Sequence, residues 1–181
     1  MPMTPSAEIE YKKAIFAGGC FWCMESPFKK IKGVKEVISG YTGGSSENPT
    51  YEEVCSGTSG HLEAVRVTYD PAQVSYKELL EVFWQQVDPT DPGGQFVDRG
   101  PQYRTAIFYL DEDQKATAEA SREQIHAEGR HGRPIVTEII PEAAFYPAED
   151  HHQNFYIREP VRYRIYRAHS GRDRYLDKVW K

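Results

Sequence analysis

The chain has 181 residues, 39% of them hydrophobic and 27% charged, which fits one folded domain and excludes a disordered chain. A net charge of −5 with both signs interspersed argues against a nucleic-acid partner, and no apolar run reaches the roughly 20 residues that a bilayer span needs. No basic segment followed by an apolar one opens the chain, and three cysteines make a poor disulfide framework, so the expectation is a cytoplasmic protein that uses its thiols for redox or metal chemistry.

Residues 1–10 carry two prolines and little pattern and read as a loose leader. A strand follows over Lys12–Ala17, then Gly18-Gly19, then a helix over Cys20–Lys32 with Pro27 inside it and Gly33 after it. Val34–Tyr41 reads as a second strand, Thr42–Thr50 as a loop of Gly, Ser, Asn and Pro, and Tyr51–Cys55 as one helical turn. His61–Tyr69 reads as a third strand. Ser75 and Glu78 have the spacing of a capping box, and Leu79, Leu80, Val82, Phe83 and Val87 recur at helical spacing behind them. Asp88–Arg104 is a long loop of the kind that often carries function. Thr105–Leu110 reads as a fourth strand, Asp111–His131 as a solvated helix and Ile135–Ile140 as a fifth strand.

In order, the core is β-α-β-β-α-β with a helix and a strand appended. That predicts an α/β two-layer sandwich with a ferredoxin-like core, its helices covering one face of a mixed sheet. From Pro141 the chain is rich in Tyr, Arg and His, and residues 141–181 are expected to wrap the core as a largely irregular tail, with short helices near Asp150–Ile157 and Ser170–Val179. The expectation is one catalytic domain over residues 1–181.

The chemistry centres on Gly18-Gly19-Cys20-Phe21-Trp22-Cys23. A cysteine at a helix N-terminus meets unpaired amides and the helix dipole, which favour its thiolate. Against this stands the plain reading of Cys20 as a small buried hydrophobe. Cys20 and Cys23 form a C-x-x-C whose Cα atoms on a helix lie roughly 5 Å apart, within reach of a disulfide. The motif serves metals and thioredoxin-like oxidoreductases as well. The zinc reading would draw on Cys55, His151, His152 and His169, although none of these completes a second ligand motif. Glu63 lies among Leu62, Ala64 and Val65, where apolar neighbours would keep a carboxyl protonated for use as a general acid; the plain alternative is a solvent-facing strand residue. Cys55 reads as structural and buried. Asp98 and Tyr103 sit in the glycine-bearing Gly93–Arg104 stretch, whose composition suits a binding loop.

Four segments together resemble the A-type peptide methionine sulfoxide reductases. They are Gly19-Cys20-Phe21-Trp22, Tyr51 through Val65 with its Gly60-His61-Leu62-Glu63-Ala64-Val65, Asp98 through Arg104, and Phe145 through Gln153, in the family's order over about residues 11–160. The resemblance implies an α/β sandwich and reduction of the S epimer of methionine sulfoxide. It implies Cys20 as the nucleophile on the sulfoxide sulfur, Phe21 and Trp22 as the pocket for the substrate methyl group, and Glu63 as the proton donor to the sulfoxide oxygen. Tyr51 and Tyr103 would hydrogen-bond that oxygen and Asp98 would orient the site. No cofactor or metal is implied, the reductant would be thioredoxin or a similar dithiol, and a monomer is expected. Many members have glycine where Cys23 stands and place resolving cysteines in the tail. Residues 141–181 hold no cysteine, so Cys23 is the expected resolving thiol by reach; direct regeneration of Cys20 by an external thiol, with Cys23 a bystander, is the alternative. His151 and His152 would support the site through hydrogen bonds or serve packing alone.

Overall fold

The structure, a computed structural model, describes residues 8–180. Most of the expected leader therefore lies outside the described residues. The elements run β1 (Lys12–Gly18), α1 (Phe21–Lys29), β2 (Val34–Thr42), α2 (Tyr51–Cys55), β3 (Leu62–Tyr69), α3 (Tyr76–Trp84), a two-residue ladder of β4 (Gly94–Gln95) and β5 (Asp98–Arg99), a 3-10 turn (Pro101–Tyr103), β6 (Thr105–Tyr109), α4 (Glu112–Glu128), β7 (Glu138–Pro141), β8 (Phe145–Pro147), a second 3-10 turn (Asp150–His152), α5 (Phe155–Arg158), α6 (Pro160–Ser170) and α7 (Arg172–Trp180).

Six strands form one mixed sheet in the order β7-β6-β1-β3-β2-β8. Only the β6–β7 pair is parallel; the other four pairings are antiparallel. Successive side chains on a strand point to opposite faces, and the pattern separates two clusters. Ala14, Phe16, Val65, Val67 and Ile107 face α1, α3 and α4, where they meet Phe21, Met24, Phe28, Leu79, Leu80, Phe83 and Ala118. The Phe16 ring stacks on Phe28 at 5.1 Å between centroids. Ile15, Ala17, Leu62, Ala64, Ala106 and Phe108 form the other face, with Leu110, Ile140 and Phe145 packed against them. The same alternation puts Glu63 on the helix-facing side, level with Tyr41 across the β2–β3 ladder.

The helix starts follow local chemistry. Ser75 Oγ accepts from the Glu78 amide at 3.1 Å ahead of α3. Thr50 and Glu53 form a capping box that starts α2 and so fixes Tyr51. The Asp88–Arg104 stretch, expected as loop, is held from within by fully buried Gln95, whose side chain bonds the Asp88 amide at 2.8 Å and the Asp88 carbonyl at 2.7 Å.

Beyond Pro141 the expectation of a largely irregular tail is corrected. β8 extends the sheet beside β2 and α6 is a regular helix, while α7 lies where a short helix was expected near Ser170–Val179. Pro160 at its first turn starts α6, and Gly171, at φ +90°, ends it. The aliphatic residues of α6, Val161 and Ile165, are exposed, and the residues α7 buries are Arg172 and Leu176, so neither helix is marked by an apolar face turned to the core.

Candidate functional site

β1 delivers its last residue, Gly18, directly beneath α1. A Cβ there would meet Met24 at 2.6 Å, and one at Gly19, whose φ is +87°, would meet Gln95 at 2.7 Å. At Gly19 the backbone itself requires glycine, and at Gly18 a larger residue would displace Met24. The turn sets Cys20 as the residue that precedes α1, with its carbonyl accepting from the Cys23 amide at 3.1 Å. Both sulfurs are buried: Cys20 is 6% exposed and Cys23 1%.

The amide of Phe21, left without an intrahelical partner at the helix start, donates to Glu63 Oε1 at 3.2 Å. That bond ties the acid on β3 to the residue next to Cys20. Glu63 is 1% exposed and its carboxyl is pushed up to about 8. Burial is the main cause and nearby Asp98 adds to it, while the Phe21 amide and the Tyr103 hydroxyl hold it back. Glu63 is therefore protonated at neutral pH.

Tyr51 on α2 and Tyr103 on the 3-10 turn face Glu63 and each other, and both phenols are held far above their ordinary range by burial and by the Glu63 carboxyl. Tyr51 is pinned through its amide, which donates to Glu149 Oε1 at 3.0 Å; the other Glu149 oxygen accepts from Tyr41 Oη at 2.8 Å. Asp98 on β5 accepts from the Tyr166 hydroxyl, and burial raises its carboxyl. Cys20, Glu63, Tyr51, Tyr103 and Asp98, which come from three stretches of sequence and five local elements, thus converge on one turn. Cys55, expected to be buried, is half-buried, with Tyr51 and Tyr103 beside it.

The two aromatics differ. Phe21 is 1% exposed and packs against Tyr41 and His152. Trp22 is half-buried, stacks on Phe155 at 3.9 Å and meets the edge of Tyr166 at 5.7 Å, so it offers the accessible part of the apolar wall. Its indole N–H donates to His152 Nδ1 at 3.1 Å. His152 must therefore be neutral with its proton on Nε2, and burial, with His151 beside it, lowers its affinity for a second proton. His151 is exposed. The two histidines separate: His152 fastens the wall and His151 does not.

The thiolate preference assigned to Cys20 from its helix position is corrected. Burial, the hydrogen bond to Cys23 and the carboxyls of Glu63 and Asp98 raise the Cys20 thiol well above its ordinary value. The same hydrogen bond lowers Cys23, with Arg172 and Arg167 adding to it against burial. Burial outweighs one unpaired helix turn. Residues that sequence reasoning missed are Tyr166, Arg167 and Arg172, all in the tail. The only signal was the tail's excess of Tyr and Arg. Among the described residues, no group of three or more His, Cys, Asp or Glu stands close enough to hold a metal ion.

This arrangement supplies a nucleophilic sulfur, a second thiol, a protonated acid and an apolar wall, which are the parts needed to reduce an S–O bond. The family model described as peptide methionine sulfoxide reductase matches residues 12–181. A peptide methionine sulfoxide reductase MsrA from Halalkalibacterium halodurans is 55% identical over 173 residues, which cover 96% of this chain and 98% of that protein. Methionine sulfoxide reductase A of Corynebacterium diphtheriae superposes with a TM-score of 0.75 at 34% identity, over 86% of this chain and 78% of the other. Reduced Mxr1 from Saccharomyces cerevisiae superposes with a TM-score of 0.79 at 28% identity, over 84% and 87%. With the family model matched over residues 12–181 and a 55% identical relative over nearly its full length, the chain belongs to the peptide methionine sulfoxide reductase family.

Proposed function

We propose that this chain reduces the S epimer of methionine sulfoxide, in proteins, peptides or the free amino acid, through Cys20, and that Cys23 resolves the resulting sulfenic acid. The observation that carries the reading is the buried, protonated Glu63 held by the amide next to Cys20. A sulfoxide oxygen is a poor leaving group until it is protonated, so an acid must face the attacking sulfur. Trp22 and Phe21 would receive the S-methyl group, Tyr51 and Tyr103 would hold the oxygen as charge builds on it, and Asp98 would orient the site through Tyr166. Attack by Cys20 sulfur, with its proton passed on and the oxygen taken up, yields methionine and a Cys20 sulfenic acid. Cys23 then displaces that oxygen as water to give a Cys20–Cys23 disulfide, which thioredoxin or a similar dithiol reduces by exchange.

The central strand order β6-β1-β3-β2, with α1 and α3 on the crossovers, supports reading the core as a ferredoxin-like two-layer sandwich. The site draws on residues from Cys20 to Arg172 of one chain, which favours a single catalytic domain acting as a monomer. No described helix is long and apolar enough to cross a membrane, and a reducing compartment such as the cytoplasm suits a cycle that consumes thiols. Epimerically pure substrates with Cys20→Ser and Cys23→Ser variants test the reading. Cys20→Ser should release no methionine. Cys23→Ser should release about one methionine per chain and then stall with thioredoxin as reductant. Turnover by Cys20→Ser sinks the assignment, whereas full turnover by Cys23→Ser sinks only the resolving role.

A further inference from the structure

Arg172, the first residue of α7, is 1% exposed. Its Nη1 donates to the carbonyls of Gly18 at 3.1 Å and Gln86 at 2.6 Å and lies 3.9 Å from Met24 Sδ. Its guanidinium carbon sits 4.9 Å from the Phe96 ring centroid, and its Nε has no hydrogen-bond partner. A methyl group on Gly19 would come within 3.0 Å of its Nη2, so the guanidinium presses against the turn that presents Cys20. Among the described residues no carboxylate forms an ion pair with it within 4 Å, and Asp98 is the carboxylate whose charge it offsets at longer range. A cation taken out of water to this extent needs a nearby anion. Arg167 on α6 approaches the same place, its Nη1 donating to the Cys23 carbonyl at 3.1 Å while its Nε pairs with Asp173 at 2.9 Å.

We propose that Arg172 and Arg167 are positioning residues for the recycling half-reaction: together they form a buried cationic seat that keeps Cys23 as the thiolate that attacks the Cys20 sulfenic acid. A tail without cysteine thereby contributes charge instead of sulfur. The proposal rests on Cys23 being the resolving thiol. In that step the Cys23 sulfur bonds to the Cys20 sulfur, the S–O bond breaks, and the oxygen leaves as hydroxide that takes up a proton to become water. Cys20 is oxidised no further, and the two sulfurs finish as a disulfide.

The groups that face Cys23 come from every side. Cys20 donates to it from the start of α1, Asp98 and Glu63 face it from β5 and β3, Tyr163, Tyr166 and Arg167 from α6, and Arg172 from α7. The carboxyls disfavour a thiolate there; Glu63 is neutral and Asp98 is engaged by Tyr166. The two arginines are the cations that lower Cys23. Cations beside a cysteine act in this sense in general.

The test uses a chain whose only thiol is Cys23, made with Cys20→Ser and Cys55→Ser, and follows thiolate ultraviolet absorbance against pH. Arg172→Met should move the midpoint up by about one pH unit or more, and Arg172→Lys should restore it. In the intact enzyme, Arg172→Met should slow Cys20–Cys23 disulfide formation on the order of tenfold at neutral pH, after the methionine burst. Should Arg172→Met not fold, Arg167→Gln at the half-buried site, alongside Arg172→Lys, carries the same measurement. A midpoint that stays put in the folded variants overturns the proposal. Full thioredoxin-driven turnover by Cys23→Ser overturns the resolving role instead, and the two failures are read from different proteins.

Discussion

Glu63 keeps its proton because of where a strand's period of two leaves it. Leu62 and Ala64 take the far face of the sheet, so Glu63 shares the helix-facing side with Val65, where it is only 1% exposed. The Phe21 amide bonds one of its oxygens without neutralising a charge, which orients the carboxyl and still leaves burial to dominate its titration. A general acid of this kind contributes roughly 10²–10⁴ in rate, so Glu63→Gln, close in shape but with no proton to give up, should slow the methionine burst by about that factor. The wild-type burst rate, followed by rapid quench, should be flat through neutral pH and fall as pH passes about 8, where the acid ionises. A burst that rises through this range would mean that deprotonation of the Cys20 thiol, and not the Glu63 proton, governs the rate.

The turn between β1 and α1 does for the thiols what the strand does for the acid. Gly19→Ala would have to place a methyl group 2.7 Å from Gln95 Cβ on a backbone at φ +87°, and Gln95 cannot give way because its amide ties down the Asp88–Arg104 stretch. A strained φ alone costs of order 1–3 kcal/mol, so Gly19→Ala should lower the denaturation midpoint measurably and cost more activity than stability, since Cys20 moves with the turn. Much of this arrangement was legible in the sequence because it is local. Gly18-Gly19, the Ser75 cap and the alternation of Leu62 to Val67 each act within a few residues. The β4–β5 ladder was not legible, because it depends on Gln95 reaching back to Asp88. Nor was α6, whose Tyr and Arg side chains find their partners on α1 and β5. The opposite directions in which the two thiols are shifted were out of reach as well: they involve Asp98, Arg167 and Arg172, which lie far from the motif in sequence.

The fold as a unit carries a cost that follows from the same groups. An unfolded glutamate titrates near 4.5, whereas Glu63 in the folded chain holds its proton to about 8. Between those values the unfolded chain releases a proton that the folded chain retains, so raising the pH favours unfolding. The stabilising state of this group is fully present below about 4.5, and its loss is complete above about 8. The slope is at most about 1.4 kcal/mol per pH unit. Chemical denaturation of the wild-type chain at a series of pH values should therefore show stability falling from pH 5 towards pH 8 by more than in Glu63→Gln, and the variant should be the more stable protein at pH 8 although it is the poorer enzyme. Parallel curves for the two chains would mean that water or a counter-charge reaches the carboxyl in the folded state, and would remove the physical basis for its role as the acid.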